Sequence, residues 1–419
     1  MHLPAMYRIR QKIDPPVVAD VAAAVRAEIA KLKLAGRLKP GGRVAVTGGS
    51  RGVANIATVI RTACDCLKEL GAKPFVVPAM GSHGGATAEG QLQVLARYGI
   101  TPESMEVPIL SSMETVEIGR MPWGFPVHVD RHAVEADHIV LVNRVKPHTN
   151  FRAHVESGLM KMMVIGLGKH QGAILAHRAS VDVGLPRAIP EVARFSLSKL
   201  PILFGLATVE NVRHQTAKIE AMLPEALEAT EARLLQEAWA LFGRIPFEFL
   251  HLLIVDEMGK EISGTGMDPN VLGRIYFAPN DEPKSPRYIR ILVRDLTEKT
   301  AGNAVGMGLA DFTTRRLANK VNFHYTYTNA LTGLSPMRSK LPIVFETDRL
   351  AIEGALKTIG LTEPPDAKVA RIKNTMDLEY LAVSEALLAE VRERSDLELL
   401  DGPHPFRFTE QGDLADPAQ

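Results

Sequence analysis

The sequence is short of the features that assign a protein quickly. Cysteine occurs twice in 419 residues, as Cys64 and Cys66, one residue apart in a stretch with helical periodicity. That spacing excludes an ordinary structural disulfide and points to a reducing compartment. Aromatic residues make up only 5% and the formal charge is +1. The charge leaves no global basic field for nucleic acid or anionic membrane, and the few aromatics weaken a base-stacking reading. No apolar run reaches membrane-spanning length, and the opening MHLPAMYRIRQKIDPP lacks the apolar centre of a signal peptide. The cytoplasm is the expected location. Neither HExxH nor paired CxxC is present, so the usual zinc spacings are missing.

What remains is an ordinary globular composition, 46% hydrophobic and 23% charged, long enough for two domains. The first half alternates strand, glycine loop and helix: strand 43–47, loop Gly48-Gly-Ser-Arg-Gly52, helix 54–70, strand 74–80, loop Gly81-Ser-His-Gly-Gly85, helix 87–98. This pattern predicts an α/β fold with a parallel sheet, whose ligands sit beyond the carboxyl ends of the strands. Further strands are expected at 138–143, 201–209, 251–256 and 288–293, and helices at 15–34, 224–241, 311–319, 348–359 and 384–394. The predicted division is 1–245, an N-terminal parallel-sheet domain, and 246–419, a smaller C-terminal α/β domain. The tail after Asp401 is expected to fray.

Between Val142 and His177 stand four histidines and five lysines or arginines among Leu, Met and Ile. Histidine supplies proton transfer near neutral pH and metal ligation, so the chemistry is expected here. His148 leaves a strand on a rigid Lys146-Pro147 turn. Lys161, among methionines, is either a snorkelling helix residue or a partly desolvated amine. His170 and His177 lie two helical turns apart and can share a face. His83 sits between glycines in a loop that follows a strand, a common place for binding residues. Arg51 follows Gly48-Gly-Ser before a helix, which reads equally as a capped turn or an anion site. The long loop from Asp256 to Arg274 is a candidate site loop of the second domain, and the polar-aromatic stretch 322–329 is a weaker one.

Taken together, Arg51, His83, His148, Lys161 and His177, in that order and spacing, resemble the nickel-dependent lactate racemase family. The resemblance implies a two-domain α/β protein with its site in the cleft between the domains. It implies a racemase or epimerase of a 2-hydroxy acid, working by reversible hydride transfer to a nickel-pincer nucleotide, pyridinium-3,5-dithiocarboxylic acid mononucleotide. His83 and His148 would be the acid–base pair and Arg51 a contact to cofactor or substrate. Lys161 would be tethered to the cofactor, His177 would ligate nickel, and Ser50, Gly52, Gly168 and Lys169 would contact the nucleotide. Partners implied are a small 2-hydroxy acid and the enzymes that build the cofactor; oligomeric state is left open. The chain departs from the family in its first loop, which lacks an acidic residue before Arg51, and in 268–274, where lactate racemases carry a Tyr-Gln and a lysine for the substrate. Lys260 or Arg274 is expected to take over the carboxylate, and the substrate to be lactate-like or larger. Two other readings stand beside this one. A metal-dependent hydrolase would use the same histidines with Glu156 as the local carboxylate. A non-catalytic protein would bind a phosphorylated metabolite through Arg51 and the glycine loops.

Overall fold

The first strand does not join the sheet that follows it in the chain. In the computed structural model, β1 (Met6–Gln11) pairs antiparallel with two strands from the C-terminal end. Residues Met1–Asp14 accordingly form one compact unit with Gly243–Gln419, and Pro15–Phe242 form the other. Residues 1–14 thus leave the expected 1–245 domain. The structure describes residues 1–50, 52–277 and 282–415, without the side chains of His177 and Ser180.

The unit 15–242 is built on β2 (Arg43–Gly48), β3 (Lys73–Pro78), β6 (His138–Arg144), β7 (Ile202–Glu210) and β8 (Thr216–Met222), with a separate hairpin of β4 (Thr115–Arg120) and β5 (Pro126–Asp130). The sheet order is β3-β2-β6-β7-β8, parallel except for β8. Its strands are nearly continuous apolar runs because helices cover them. The Ile56–Glu69 helix buries Val59, Ile60, Ala63, Cys64 and Leu67 against Val44, Val46 and Val76. Both cysteines are therefore core residues, and burial pushes the Cys64 thiol up to about 12. The Ala88–Arg97 helix starts at Thr87, whose Oγ1 accepts the Gly90 N–H at 3.1 Å.

The other unit has β9 (Phe249–Met258), β10 (Arg287–Leu296), β11 (Phe312–Thr314), β12 (Ile343–Phe345), β13 (Val369–Ile372), β14 (Tyr380–Ser384) and β15 (Leu397–His404). With β1 they form a sheet ordered β12-β11-β10-β9-β13-β14-β1-β15, parallel from β12 to β13 and antiparallel beyond. Two expectations change here. The predicted 311–319 helix opens as β11, because Thr313 and Thr314 are buried on the sheet; Thr314 then caps a shorter helix, Arg315–Lys320. The predicted 384–394 helix is found as a 3-10 turn, Glu385–Leu387, that runs into an α-helix, Leu388–Glu393. The tail does not fray at Asp401: β15 runs on to His404 beside β1, and Leu414 is buried, its N–H donating to Asp348 Oδ2 at 2.8 Å. Among the described residues no helix is long and apolar enough to cross a membrane.

Candidate active site

Adjacent parallel strands end side by side, so the loops after β3, β2 and β6 share one edge of the sheet. These loops carry His83, Ser50 and His148. Arg51 lies outside the described residues. Ser50 is half-buried, and its carbonyl accepts the Tyr98 hydroxyl at 3.3 Å. Gly52 is exposed beside the Tyr98 ring. Half-buried His83 opens a tight turn in which Gly84 and Gly85 have φ of +66° and +65°. That turn needs glycine twice over, since a Cβ at Gly84 would lie 2.3 Å from the backbone of Gly90. Gly81, two residues before His83, is pressed against Ala173: a Cβ at Gly81 would lie 2.8 Å from the Ala173 Cβ. The His83 loop therefore rests on the Lys169–Asp182 helix, whose backbone also carries His170 and His177. The His177 side chain is outside the described part. The Nδ1 of His170 is buried and has no hydrogen-bond partner among the described residues.

The segment after β6 is pinned at both ends. Lys146 and Ser157 exchange backbone hydrogen bonds, and Asn143 Nδ2 donates to the Gly158 carbonyl at 2.8 Å. A short helix Leu159–Lys161 follows and widens over Met162–Gly166, where the Leu167 N–H reaches back five residues to Met162. Such wide turns are frequent at functional sites. This arrangement brings Lys161 Nζ to 2.6 Å from Nε2 of His148, which is only 9% exposed. The other ring nitrogen, Nδ1, accepts the Asn150 N–H at 3.0 Å. With Nδ1 an acceptor, the neutral ring carries its proton on Nε2. The contact with Nζ is then a hydrogen bond when the amine presents its lone pair. The ring also lies on Phe151, centroids 4.5 Å apart.

Two buried carboxylates support this pair, and neither role was apparent from motifs. Glu156 accepts the His148 N–H at 2.6 Å and the Ala153 N–H at 3.3 Å. Burial pushes its acidity down, against the pull of those N–H groups and of Arg152. Glu231, in the Leu227–Ala240 helix, accepts the Met160 N–H at 2.9 Å. Burial raises its carboxyl to about 7, opposed by the Met160 and Leu159 N–H groups and reinforced by the nearby charge of Glu228. Its sequence signal is position: Glu231 falls on the buried stripe of Leu227, Leu234, Leu235 and Ala238, where an apolar residue is expected. Because the folded value lies above the ordinary one, the stabilisation tied to the neutral acid is complete below about pH 4.5 and lost as pH rises through 7. Glu231→Gln keeps an acceptor but cannot ionise. It should gain on the wild type by roughly 2–3 kcal/mol between pH 5 and pH 8. Thermal melts at the two pH values check this, and an unchanged gap would refute it.

Other expected contacts are placed differently. Lys169 is fully buried with a left-handed φ of +55°. Its amine donates to the Pro78 carbonyl at 2.8 Å and to Gln91 Oε1 at 2.7 Å, and lies 3.4 Å from Asp130 Oδ2. Lys169 is thus a strut of the fold rather than a nucleotide contact. Gly168 is equally enclosed, a Cβ there falling 2.3 Å from the Val164 carbonyl oxygen. In the other unit, the Arg274 guanidinium is spent on the carbonyls of Leu309, Tyr288 and Ile289 and on Asp311. That removes it as the expected carboxylate receptor. Lys260 Nζ donates to the Gly264 carbonyl and to Asn329 Oδ1, both at 2.8 Å. The 322–329 candidate lies mostly in a helix, Phe323–Thr332.

The fold and site define a class: an α/β protein that gathers histidines and a lysine at neighbouring ends of a parallel sheet. Residues 6–184 match the family model described as the lactate racemase N-terminal domain. This segment carries Ser50, His83, His148, Lys161 and His177, and over it the chain is similar to the lactate racemase N-terminal domain. The solved lactate racemase apoprotein from Thermoanaerobacterium thermosaccharolyticum is similar over 94% of this chain and 97% of that one, with a TM-score of 0.54 at 15% identity. At that identity the likeness shows a shared α/β fold. No curated protein matches the chain.

Proposed function

We propose that this chain is a cytoplasmic racemase or epimerase of a 2-hydroxy acid, lactate-like or larger, that works with a nickel-pincer nucleotide. The observation that carries the reading is the contact of His148 Nε2 with Lys161 Nζ at 2.6 Å, at the edge of the sheet where His83 also stands. The residues present fit such a group. Among the described residues no three His, Cys, Asp or Glu side chains gather as a metal site. A ligand that brings its own donor atoms asks the protein only for an imidazole, assigned to His177, and an attachment point. Lys161, whose amine nitrogen meets the His148 ring at 2.6 Å, suits that attachment, and Ser50 and Gly52 suit the nucleotide. When bound, the group supplies the hydride acceptor that no side chain can be.

The chain's own residues handle protons. The α-hydrogen of a 2-hydroxy acid is barely acidic, so the hydroxyl proton is the one a side chain can manage. His148 is oriented for this by Asn150 at Nδ1 and by the Phe151 ring. His83 serves the enantiomer whose hydroxyl lies the other way. Imidazole suits both directions because it gains and loses a proton near the working pH. Glu156 favours this reading over a hydrolase. Its carboxylate already accepts two backbone N–H groups and is not disposed to ligate a metal or activate water.

Protein made together with the cofactor-building enzymes tests the proposal on single-enantiomer 2-hydroxy acids and aldonates. The expected result is inversion with α-deuterium retained and nickel bound to the protein. Inversion with deuterium washed out would sink hydride transfer. No inversion of any member by nickel-loaded protein would sink the isomerase reading.

A further inference from the structure

We infer that the Leu227–Ala240 helix is a brace that holds His148 and Lys161 at bonding distance, with Glu231 as its positioning residue. The inference rests on the reading of that pair as the reactive one, and on no property of nickel or nucleotide.

The helix reaches both members. At the Lys161 end, Glu231 is fully buried and takes the N–H groups of Leu159 and Met160, the open start of the short helix that ends in Lys161. Its other oxygen, Oε1, has no partner among the described residues. Gly158 makes room for it: a Cβ there would lie 2.4 Å from the Glu231 carboxyl carbon. At the His148 end, Trp239 stands just over two turns further along the same helix. Its indole hydrogen-bonds Glu156, which in turn holds the His148 N–H. Arg152 lies over the Trp239 ring at 4.7 Å and donates to the His148 carbonyl at 2.9 Å. A leucine at 231 would complete the apolar stripe without the cost of burying a carboxylate. What a leucine cannot do is hold the 159–161 start in register with the His148 loop.

The test uses the full chain without cofactor, labelled with ¹⁵N at histidine, so that His148 reports on the pair directly. His148 is assigned through its disappearance in His148→Gln. Wild type and Glu231→Gln should share one His148 pattern, with Nδ1 unprotonated and a protected Nε2 proton. Glu231→Leu and Gly158→Ala should lose that protected proton to solvent exchange. Trp239→Phe, which removes the indole N–H but leaves an aromatic ring for Arg152, should shift the Nδ1 signal and covers the case in which Glu231→Leu does not fold. A purely structural Glu231 would lower the melting temperature and leave the His148 signals unchanged, and that outcome overturns the brace. If the His148 signals respond as expected while no 2-hydroxy acid is inverted, the brace stands and the isomerase reading falls. If inversion occurs at the wild-type rate in a folded Glu231→Leu with unchanged signals, the brace falls alone.

Discussion

His148→Gln is expected to lower kcat/KM for inversion by ~10²–10⁴-fold, the range for losing a positioned acid–base group. Glutamine fills much of the imidazole volume and keeps polar atoms, but it cannot take up a proton near neutral pH. The His148 ring has no freedom to be replaced by a neighbour. Its Nδ1 is held by Asn150, its face by Phe151, and its backbone by Glu156. The loss must be equal when measured from either enantiomer, because the substitution cannot change the equilibrium between them. Chiral chromatography from both pure enantiomers therefore checks itself. A folded, nickel-loaded His148→Gln that inverts substrate like the wild type would remove His148 from the chemistry. The same substitution leaves Glu156 both backbone donors, the N–H groups of residues 148 and 153, and so should not collapse the 148–156 loop.

Much of the N-terminal unit was legible because its signals are local. Val44, Val46, Val76 and the glycines after each strand reveal a parallel sheet by period and punctuation, and the helix 56–69 shows a strong apolar face. What escaped depends on partners distant in sequence. β1 reads as a polar N-terminal stretch, MYRIRQ, and becomes a strand only because β14 and β15 flank it. The tail looks soluble, yet β15 and Leu414 are held by β1 and Asp348. Thr313 and Thr314 sit in a window with helical spacing, but burial on the sheet outweighs propensity there.

The site was legible in its reactive groups and opaque in their supports. A histidine in a glycine loop, or a lysine among methionines, is conspicuous because its chemistry is out of place. Glu156, Glu231 and Asn143 act through hydrogen bonds to backbone N–H or C=O groups, and Asn150 through its own backbone N–H to the His148 ring, which no spacing rule announces. Lys169 is the instructive failure. Beside His170 and after Gly166-Leu-Gly it resembles a phosphate-binding lysine, and only the packing of Asp130 and Gln91 around it shows that its charge is already used.

Lys169→Met should therefore act on stability, costing about 3–5 kcal/mol, the range for removing one partner of a buried ion pair. Burial pushes this amine's pKa down and the Asp130 carboxyl's up, and the charge of each partner opposes the shift of the other. Without the amine, Asp130 has only the Ala133 N–H among the described residues, while the Pro78 carbonyl and Gln91 Oε1 lose a donor they cannot recover from water. For a unit of this size the melting temperature should fall by roughly 10 °C or more. Asp130→Leu in the same chain should restore part of it, since an apolar pair avoids the stranded charge. The loss should also reach the site, because Gln91 donates to the carbonyls of Met80 and Gly81 and so anchors the loop that presents His83. A nucleotide-binding lysine predicts the reverse pattern. Lys169→Met would then melt like the wild type, bind less cofactor, and gain nothing from Asp130→Leu. Melts of the single and double variants without cofactor decide between the two roles.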